Sequence, residues 1–101
     1  MRVILNFELP IEPFNSMLRD GKAGPAIQAI MEELKPEAAY FYAPSGCRGG
    51  MMVVNIDNAS QIPSIAEPLF LKFNAKIDTQ VLMVPEDLAK AGLDEIGKKW
   101  G

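Results

Sequence analysis

The chain of 101 residues contains no histidine, a single cysteine and a single tryptophan. Without histidine, the sequence lacks the residue that most often serves as metal ligand, haem ligand and general base. The lone Cys47 cannot form an internal disulfide, and no histidine is present to activate its thiol as a nucleophile. We therefore expect no metal, no other cofactor and no cysteine chemistry.

Basic residues are also few, because 10 Lys and Arg face 13 Asp and Glu, giving a net charge of −3. Nonspecific affinity for nucleic acid comes from clustered Lys and Arg, so this charge argues against a nucleic-acid partner. The apolar runs are too short for a signal peptide or a membrane span. The sequence therefore predicts a cytoplasmic protein without a membrane partner.

What is present is an alternation of strand and helix patterns over residues 1–84. Residues 3–9, 39–43, 51–56 and 77–84 have the composition of strands, and a glycine-rich turn over 44–50 separates the second from the third. A short helix is expected over residues 13–19. Two longer segments have helical spacing: one has Pro25 in its first turn and runs to Leu34, and the other follows an N-cap at Ser60 and should kink at Pro68.

This order predicts an α+β fold, the ferredoxin-like βαββαβ sandwich, in which a four-stranded antiparallel sheet carries its helices on one face. We assign residues 1–84 to this domain. Residues 85–101 form a C-terminal helical extension, whose Leu88, Leu93, Ile96 and Trp100 need a surface to cover. We expect the extension to pack on the domain or on a partner subunit.

Alternation along the strands divides their side chains between two faces of the sheet. The face expected beneath the helices is almost wholly apolar and consists of Val3, Leu5, Phe7, Met52, Val54, Ile56, Ile77, Val81 and Met83. The opposite face, called the outer face below, mixes Ile4, Met51, Val53 and Leu82 with Asn6, Glu8, Asn55, Asp78 and Gln80. Exposed apolar patches of this kind mark interaction sites. We therefore predict a homodimer through the outer faces, with Trp100 also at the interface, in which two sheets close into a barrel.

One group of polar residues has chemical potential. The expected strand order is 4-1-3-2, in which the first strand lies between the fourth and the third and is antiparallel to both. Glu8 then approaches Asp78 and Gln80 on one side and Arg48 on the other. Two neighbouring carboxylates resist ionising together, which can raise one pKa and provide a general base, so Glu8 and Asp78 are the candidate catalytic residues. Arg48 can hold an anionic group through a bidentate contact. Further candidate ligand-binding residues are Asn6, Tyr40, Tyr42, Asn55 and Gln80. The alternative is a solvated, salt-bridged strand end.

Residues 48–55, together with 40–44 and 84–93, resemble an uncharacterised bacterial family of small ferredoxin-like proteins. The resemblance covers nearly the whole chain, including the helix that contains Pro68. It implies kinship with the dimeric α/β-barrel superfamily, which includes muconolactone isomerases, cofactor-free antibiotic-biosynthesis monooxygenases and haem-degrading enzymes. The fold and the dimer are what this resemblance implies most directly, and the missing histidine argues against haem degradation.

The fold is shared with RNA-recognition domains, and Arg48-Gly49 before an apolar strand resembles part of their third-strand signature. That signature needs aromatic residues that stack on bases. Gly50, Met52 and Asn55 occupy the aromatic positions here, which argues against RNA binding.

Two functions fit the sequence. The first is a homodimeric small-molecule-binding or assembly module that performs no chemistry, since a fold alone implies no activity. The second is a cofactor-independent enzyme, of isomerase or monooxygenase type, that uses Glu8 or Asp78 as a base on a small hydrophobic or aromatic substrate. A deep pocket between helices and sheet, reached by a carboxylate, would favour the enzyme, whereas a filled core would favour the module.

Overall fold

The protein, seen in a computed structural model that describes residues 1–101, has four strands and five α-helices. The strands are β1 (Arg2–Leu9), β2 (Ala38–Tyr42), β3 (Arg48–Asn55) and β4 (Lys76–Leu82). The helices are α1 (Ile11–Arg19), α2 (Ala23–Leu34), α3 (Ile62–Phe73), α4 (Pro85–Lys90) and α5 (Leu93–Trp100). The chain order is β1-α1-α2-β2-β3-α3-β4-α4-α5, as the sequence pattern predicts.

The strands form one antiparallel sheet in the order β2-β3-β1-β4. Central β1 pairs with β3 and β4, so that Leu5 lies opposite Met52 on one side and Thr79 on the other. Side chains of α1, α2 and α3 share a single apolar core with one face of this sheet. The predicted α+β ferredoxin-like sandwich is therefore confirmed.

The core is built from alternate residues of the two central strands. Val3, Leu5 and Phe7 of β1 are buried, whereas Ile4, Asn6 and Glu8 between them are only half-buried. The strand β3 follows the same alternation through Met52 and Val54, and the helices contribute Phe14, Ile30, Ile65, Leu69 and Phe73. Because side chains alternate between faces with a period of two, this burial confirms the predicted assignment of faces for β1 and β3.

The third strand begins at Arg48 and not at Met51, so the prediction of a glycine turn over 44–50 is wrong at its end. Gly49 and Gly50 are strand residues that pair with Glu8 and Phe7 of β1. A Cβ on Gly49 would collide with the carbonyl oxygen of Phe7, and a Cβ on Gly50 would collide with that of Tyr40. These glycines permit a close approach of neighbouring strands. Of the three glycines in this segment only Gly46 has a positive φ, of 78°, and the preceding Ser45 also has a positive φ, of 52°.

The starts of α2 and α3 compare differently with the pattern. The helix α2 begins at Ala23, so that Pro25 lies in its first turn, as predicted. A 3-10 turn over Ala59–Gln61 leads into α3, and its cap is Asn58, whose side chain accepts a hydrogen bond from the backbone N–H of Ser60. Ser60 is therefore inside this turn and is not the N-cap residue, and the position before α3 is Gln61. The helix α3 continues on both sides of Pro68.

The C-terminal extension lies away from the sandwich. No residue after Ala75 is buried, and the molecule measures 60 Å along its long axis against 27 and 20 Å along the others. Val81 and Met83 were expected beneath the helices, but they are 60% and 68% exposed, because α1, α2 and α3 leave the end of β4 uncovered. The expectation that they join the core is therefore wrong. No helix combines the length and the apolar character needed to cross a bilayer.

Candidate ligand-binding site

Most of the polar residues singled out in the sequence lie together on the outer face. Asn6 is flanked by Met51 on β3 and by Asp78 on β4, while Glu8 is flanked by Gly49 and Lys76. The same face carries Tyr40 and Tyr42 at the β2 edge, where they lie beside Met51 and Gly49, and it carries Gln80 beside Ile4. The outer face is therefore a continuous surface whose polar residues concentrate toward β4.

Glu8 and Asp78 share a hollow of about 320 Å³ on this face. Asn6, Tyr42 and Lys76 also line it, so an ammonium group accompanies the two carboxylates. The amide of Gln80 donates to an Asp78 carboxylate oxygen at 3.5 Å. The hollow is open to solvent, and its composition is that of a charged surface depression.

Arg48 does not belong to this group, and the expected approach of Arg48 to Glu8 is wrong. In the β1–β3 register Arg48 lies opposite Leu9, whose side chain is buried beneath the helices. The guanidinium donates from Nη1 to Asn15 Oδ1 at 2.6 Å and lies 4.7 Å from the centre of the Phe14 ring. Both partners belong to α1, so Arg48 points to the helical side of the sheet while Glu8 is on the outer face.

An apolar cavity of about 370 Å³ opens on that helical side, between α1, α2 and the end of the sheet nearest β2. Sixteen residues line it, of which 13 are hydrophobic. The helices contribute Phe14, Ile27 and Met31, and the strands contribute Phe41 and Met52. The rim is the turn between β2 and β3, with Ala43, Gly46, Cys47 and Arg48. In the following we call this space the apolar cavity.

The cavity exists because the helices leave the edge strand β2 partly uncovered. Phe41 points to the helical side but remains 58% exposed, and its ring meets that of Phe7 edge to face with centroids 6.1 Å apart. Phe14 packs in turn on Phe73, with ring centroids at 5.6 Å. Aromatic rings therefore wall the cavity on the side of the sheet and at its inner end.

Arg48 is the only charged residue that lines the cavity. It takes part in none of the three ion pairs of the chain, which join Arg2 to Glu37, Arg19 to Glu12 and Lys98 to Glu95. The pKa of Glu12 is below its ordinary value chiefly because its carboxylate accepts hydrogen bonds from the Ser16 hydroxyl and backbone N–H. The positive charge of Arg48 contributes less to this lowering. The guanidinium at the rim is thus bound to a neutral amide and an aromatic ring.

Asn55, another candidate ligand-binding residue, belongs to a network at the opposite end of the sheet. The Arg2 guanidinium donates from Nε to both Glu37 carboxylate oxygens at 3.0 and 2.9 Å, and the Asn55 amide donates to the same carboxylate. The Arg2 hydrogen bond holds the pKa of Glu37 below its ordinary value and raises the pKa of Arg2. Asn55 is therefore committed to a surface ion pair.

The predicted interface residues are all accessible. Ile4, Met51, Val53 and Leu82 are half-buried on the outer face, and Trp100 is 76% exposed near the end of α5, where Lys99 lies 5.3 Å from its ring. Leu88, Leu93 and Ile96 are about half exposed. The extension therefore presents these apolar side chains to solvent, and none of its residues is buried.

Sequence reasoning missed the cavity. The residues that line it have the apolar pattern of ordinary core positions. Phe14 and Asn15 belong to the short helix predicted over 13–19, which contains no recognisable motif. The one available signal was Phe41, an aromatic residue that alternation places on the helical side of an edge strand. The void itself depends on how far the helices reach across that edge, which no residue pattern reports.

No three His, Cys, Asp or Glu side chains come together in a way that could hold a metal ion. In comparisons with known proteins, no family model matches the chain and no curated protein matches it. The geometry of the apolar cavity and of the outer face is therefore the basis for any statement about function.

Proposed function

We propose that the protein is a homodimeric small-molecule-binding protein whose ligand occupies the apolar cavity. The observation that carries this proposal is the cavity itself, about 370 Å³ in volume with 13 hydrophobic residues among the 16 that line it. Ligand sites typically measure roughly 300–1,000 Å³ and combine apolar walls with a few polar groups.

The volume limits the ligand. An engineered apolar cavity of about 150 Å³ is known to take up benzene. A space of about 370 Å³ therefore suits a molecule about twice that size, such as a two-ring aromatic compound or a medium-length acyl chain. The aromatic walls, Phe7, Phe14 and Phe41, favour a flat ligand that stacks or meets them edge to face.

An enzyme that uses Glu8 or Asp78 as a base is the second candidate, and the shared hollow on the outer face is the observation in its favour. No carboxylate lines the apolar cavity, however, so a hydrophobic substrate held there would not meet either residue. Binding without chemistry is therefore the better supported function.

The dimer is supported by two apolar surfaces that the chain leaves uncovered. One is the outer face around Ile4, Met51 and Val53, and the other is the extension with Leu93 and Trp100. A second copy of the same chain could cover both isologously, because a two-fold axis brings identical patches together. The proposed partner is thus a second copy, and not a different protein.

Nuclear magnetic resonance titration with naphthamide, a neutral two-ring compound, tests the binding function. We expect shifts of the backbone signals of Phe41, Cys47 and Met52, which line the cavity, without shifts at Gln80 on β4. The variant Ile27→Trp should fill the cavity and abolish these shifts. The matched control Leu71→Trp, at a position that is 79% exposed on α3, should leave them intact. Absence of any shift at millimolar naphthamide would overturn the proposal.

A further inference from the structure

The apolar cavity has one feature that its size does not require, a guanidinium at its rim without an anionic partner. We propose that the ligand is an amphipathic carboxylate, whose apolar body fills the cavity and whose carboxylate is bound by Arg48. This inference rests on the proposed function, because it names the class of molecule that the same cavity takes.

The position of Arg48 carries the argument. It is the only charge among the 16 lining residues, so any polar recognition by a charged side chain at this site must come from it. Its side chain is held in place by the hydrogen bond from Nη1 to Asn15 and by the Phe14 ring beneath it. A guanidinium already held in this orientation loses little conformational freedom when it binds a ligand. Its planar array of N–H donors can bind both oxygens of a carboxylate.

Its partners leave its charge available. Asn15 contributes a neutral amide oxygen, and the Phe14 ring is apolar. The acidic side chain that Arg48 influences, Glu12, is engaged on one oxygen by Ser16 and lies 3.9 Å from Arg19 through the other. A ligand carboxylate therefore does not have to displace an existing ion pair.

The apolar body of the ligand follows from the rest of the lining. Phe14 is both a wall of the cavity and the platform under the guanidinium, so the charged group and the apolar space are adjacent. A simple inorganic anion would gain nothing from the hydrophobic walls. A neutral hydrocarbon has no acceptor for the Arg48 N–H groups. An aromatic or acyl carboxylate uses both.

The test compares naphthoate with naphthamide, which share shape and differ in charge, by calorimetric titration of the intact protein at low salt. We expect naphthoate to bind about ten-fold more tightly, at the lower end for a charge-assisted hydrogen bond because the Arg48 side chain is exposed to solvent. In Arg48→Gln the ratio of the two affinities should fall to about one, because naphthoate loses its charged partner and therefore loses more affinity than naphthamide does. The matched control Arg19→Gln removes an arginine of α1 that does not line the cavity and should keep the preference.

The outcomes separate this inference from the proposed function. Equal affinity for naphthoate and naphthamide in the unaltered protein would overturn the carboxylate proposal and leave the binding function standing. Failure of both compounds to bind would overturn the function itself. A preference that survives in Arg48→Gln would remove Arg48 from its role. Should that variant not fold, the Arg48 Nε–H resonance of the unaltered protein decides: it must shift with naphthoate and not with naphthamide.

Discussion

Arg48 and Glu8 lie on opposite faces of the sheet, although Glu8 pairs directly with Gly49, the neighbour of Arg48 in the chain. This one-residue offset separates two potential sites. The carboxylates belong to the outer face and its hollow, and the guanidinium belongs to the apolar cavity beneath the helices. Binding of an apolar anion and assembly through the outer face can consequently be tested with different substitutions.

The first prediction concerns assembly through the outer face. Val53→Asp should convert the dimer to monomer, because it places a charge in the middle of the apolar patch formed with Ile4 and Met51. Light scattering across a dilution series measures the change. The control Leu71→Asp introduces the same charge at an exposed position on α3 and should leave the mass unaltered. A monomer for the unaltered protein at micromolar concentration would contradict the prediction at its root.

The second prediction concerns the extension. Removal of residues 85–101 should lower the unfolding temperature by no more than loss of the dimer does in Val53→Asp, since none of these residues is buried in its own chain. The same truncation should weaken the dimer, because it removes Leu93, Ile96 and Trp100 from the proposed contact with the second copy. Scattering and thermal unfolding are measured on the same sample. A truncated protein that unfolds at a much lower temperature while remaining dimeric would show that the extension supports its own domain.

The third prediction concerns Gly50. Its replacement by alanine should lower the free energy of unfolding by about 1–3 kcal/mol, because the added Cβ meets the Tyr40 carbonyl oxygen and the strands must move apart. Chemical denaturation measures this loss. Gly24→Ala is the matched control, since Gly24 lies in the first turn of α2, just before Pro25, with no atom near the new Cβ, and the free energy of unfolding should change by less than about 1 kcal/mol. Equal stability for both variants would refute the close approach.

The fourth prediction concerns pH. The pKa of Glu37 is below its ordinary value of 4.5, and the main cause is the hydrogen bond that Arg2 donates to its carboxylate. A lowered pKa in the folded state means that Glu37 stabilises the fold above its unfolded pKa, and that this stabilisation disappears as the pH falls through the folded pKa. In Arg2→Met the pKa should rise toward 4.5, as measured by carboxyl resonances. Arg19→Met, which breaks the pair with Glu12, should leave the Glu37 titration unchanged.

The strand faces could be predicted from sequence because burial in β1 follows the strict alternation of Val3, Leu5 and Phe7. The wrong prediction that Arg48 approaches Glu8 has the same cause as the prediction that β3 starts at Met51. Glycines disfavour strands when considered alone, so Gly49 and Gly50 read as a turn, and the alternation was not carried back from Met51 to Arg48. Neighbouring carbonyl groups leave no room for a Cβ at these two positions, which explains why the strand has glycine there.

The cavity was beyond prediction for a different reason. Ile27, Met31 and Phe41 have the apolar character of any core, and their separation depends on the placement of α2 over the sheet. Placement of a helix results from the summed packing of many side chains. The partnership of Arg48 with Asn15 likewise joins residues 33 positions apart, with no motif to connect them.

The strand order also leaves two open margins, at β2 and at β4, where one side of each backbone has no neighbour. Unpaired edge strands of this kind can pair with strands of other molecules, which leads to aggregation into fibrils. At β2 this risk is limited, because the strand has only five residues and Pro36 and Pro44, which cannot donate a backbone hydrogen bond, lie two residues beyond its ends. At β4 the chain turns away into the extension at Pro85. The sheet is thus suited to a closed pair of subunits, and we expect concentrated solutions to contain no fibrils.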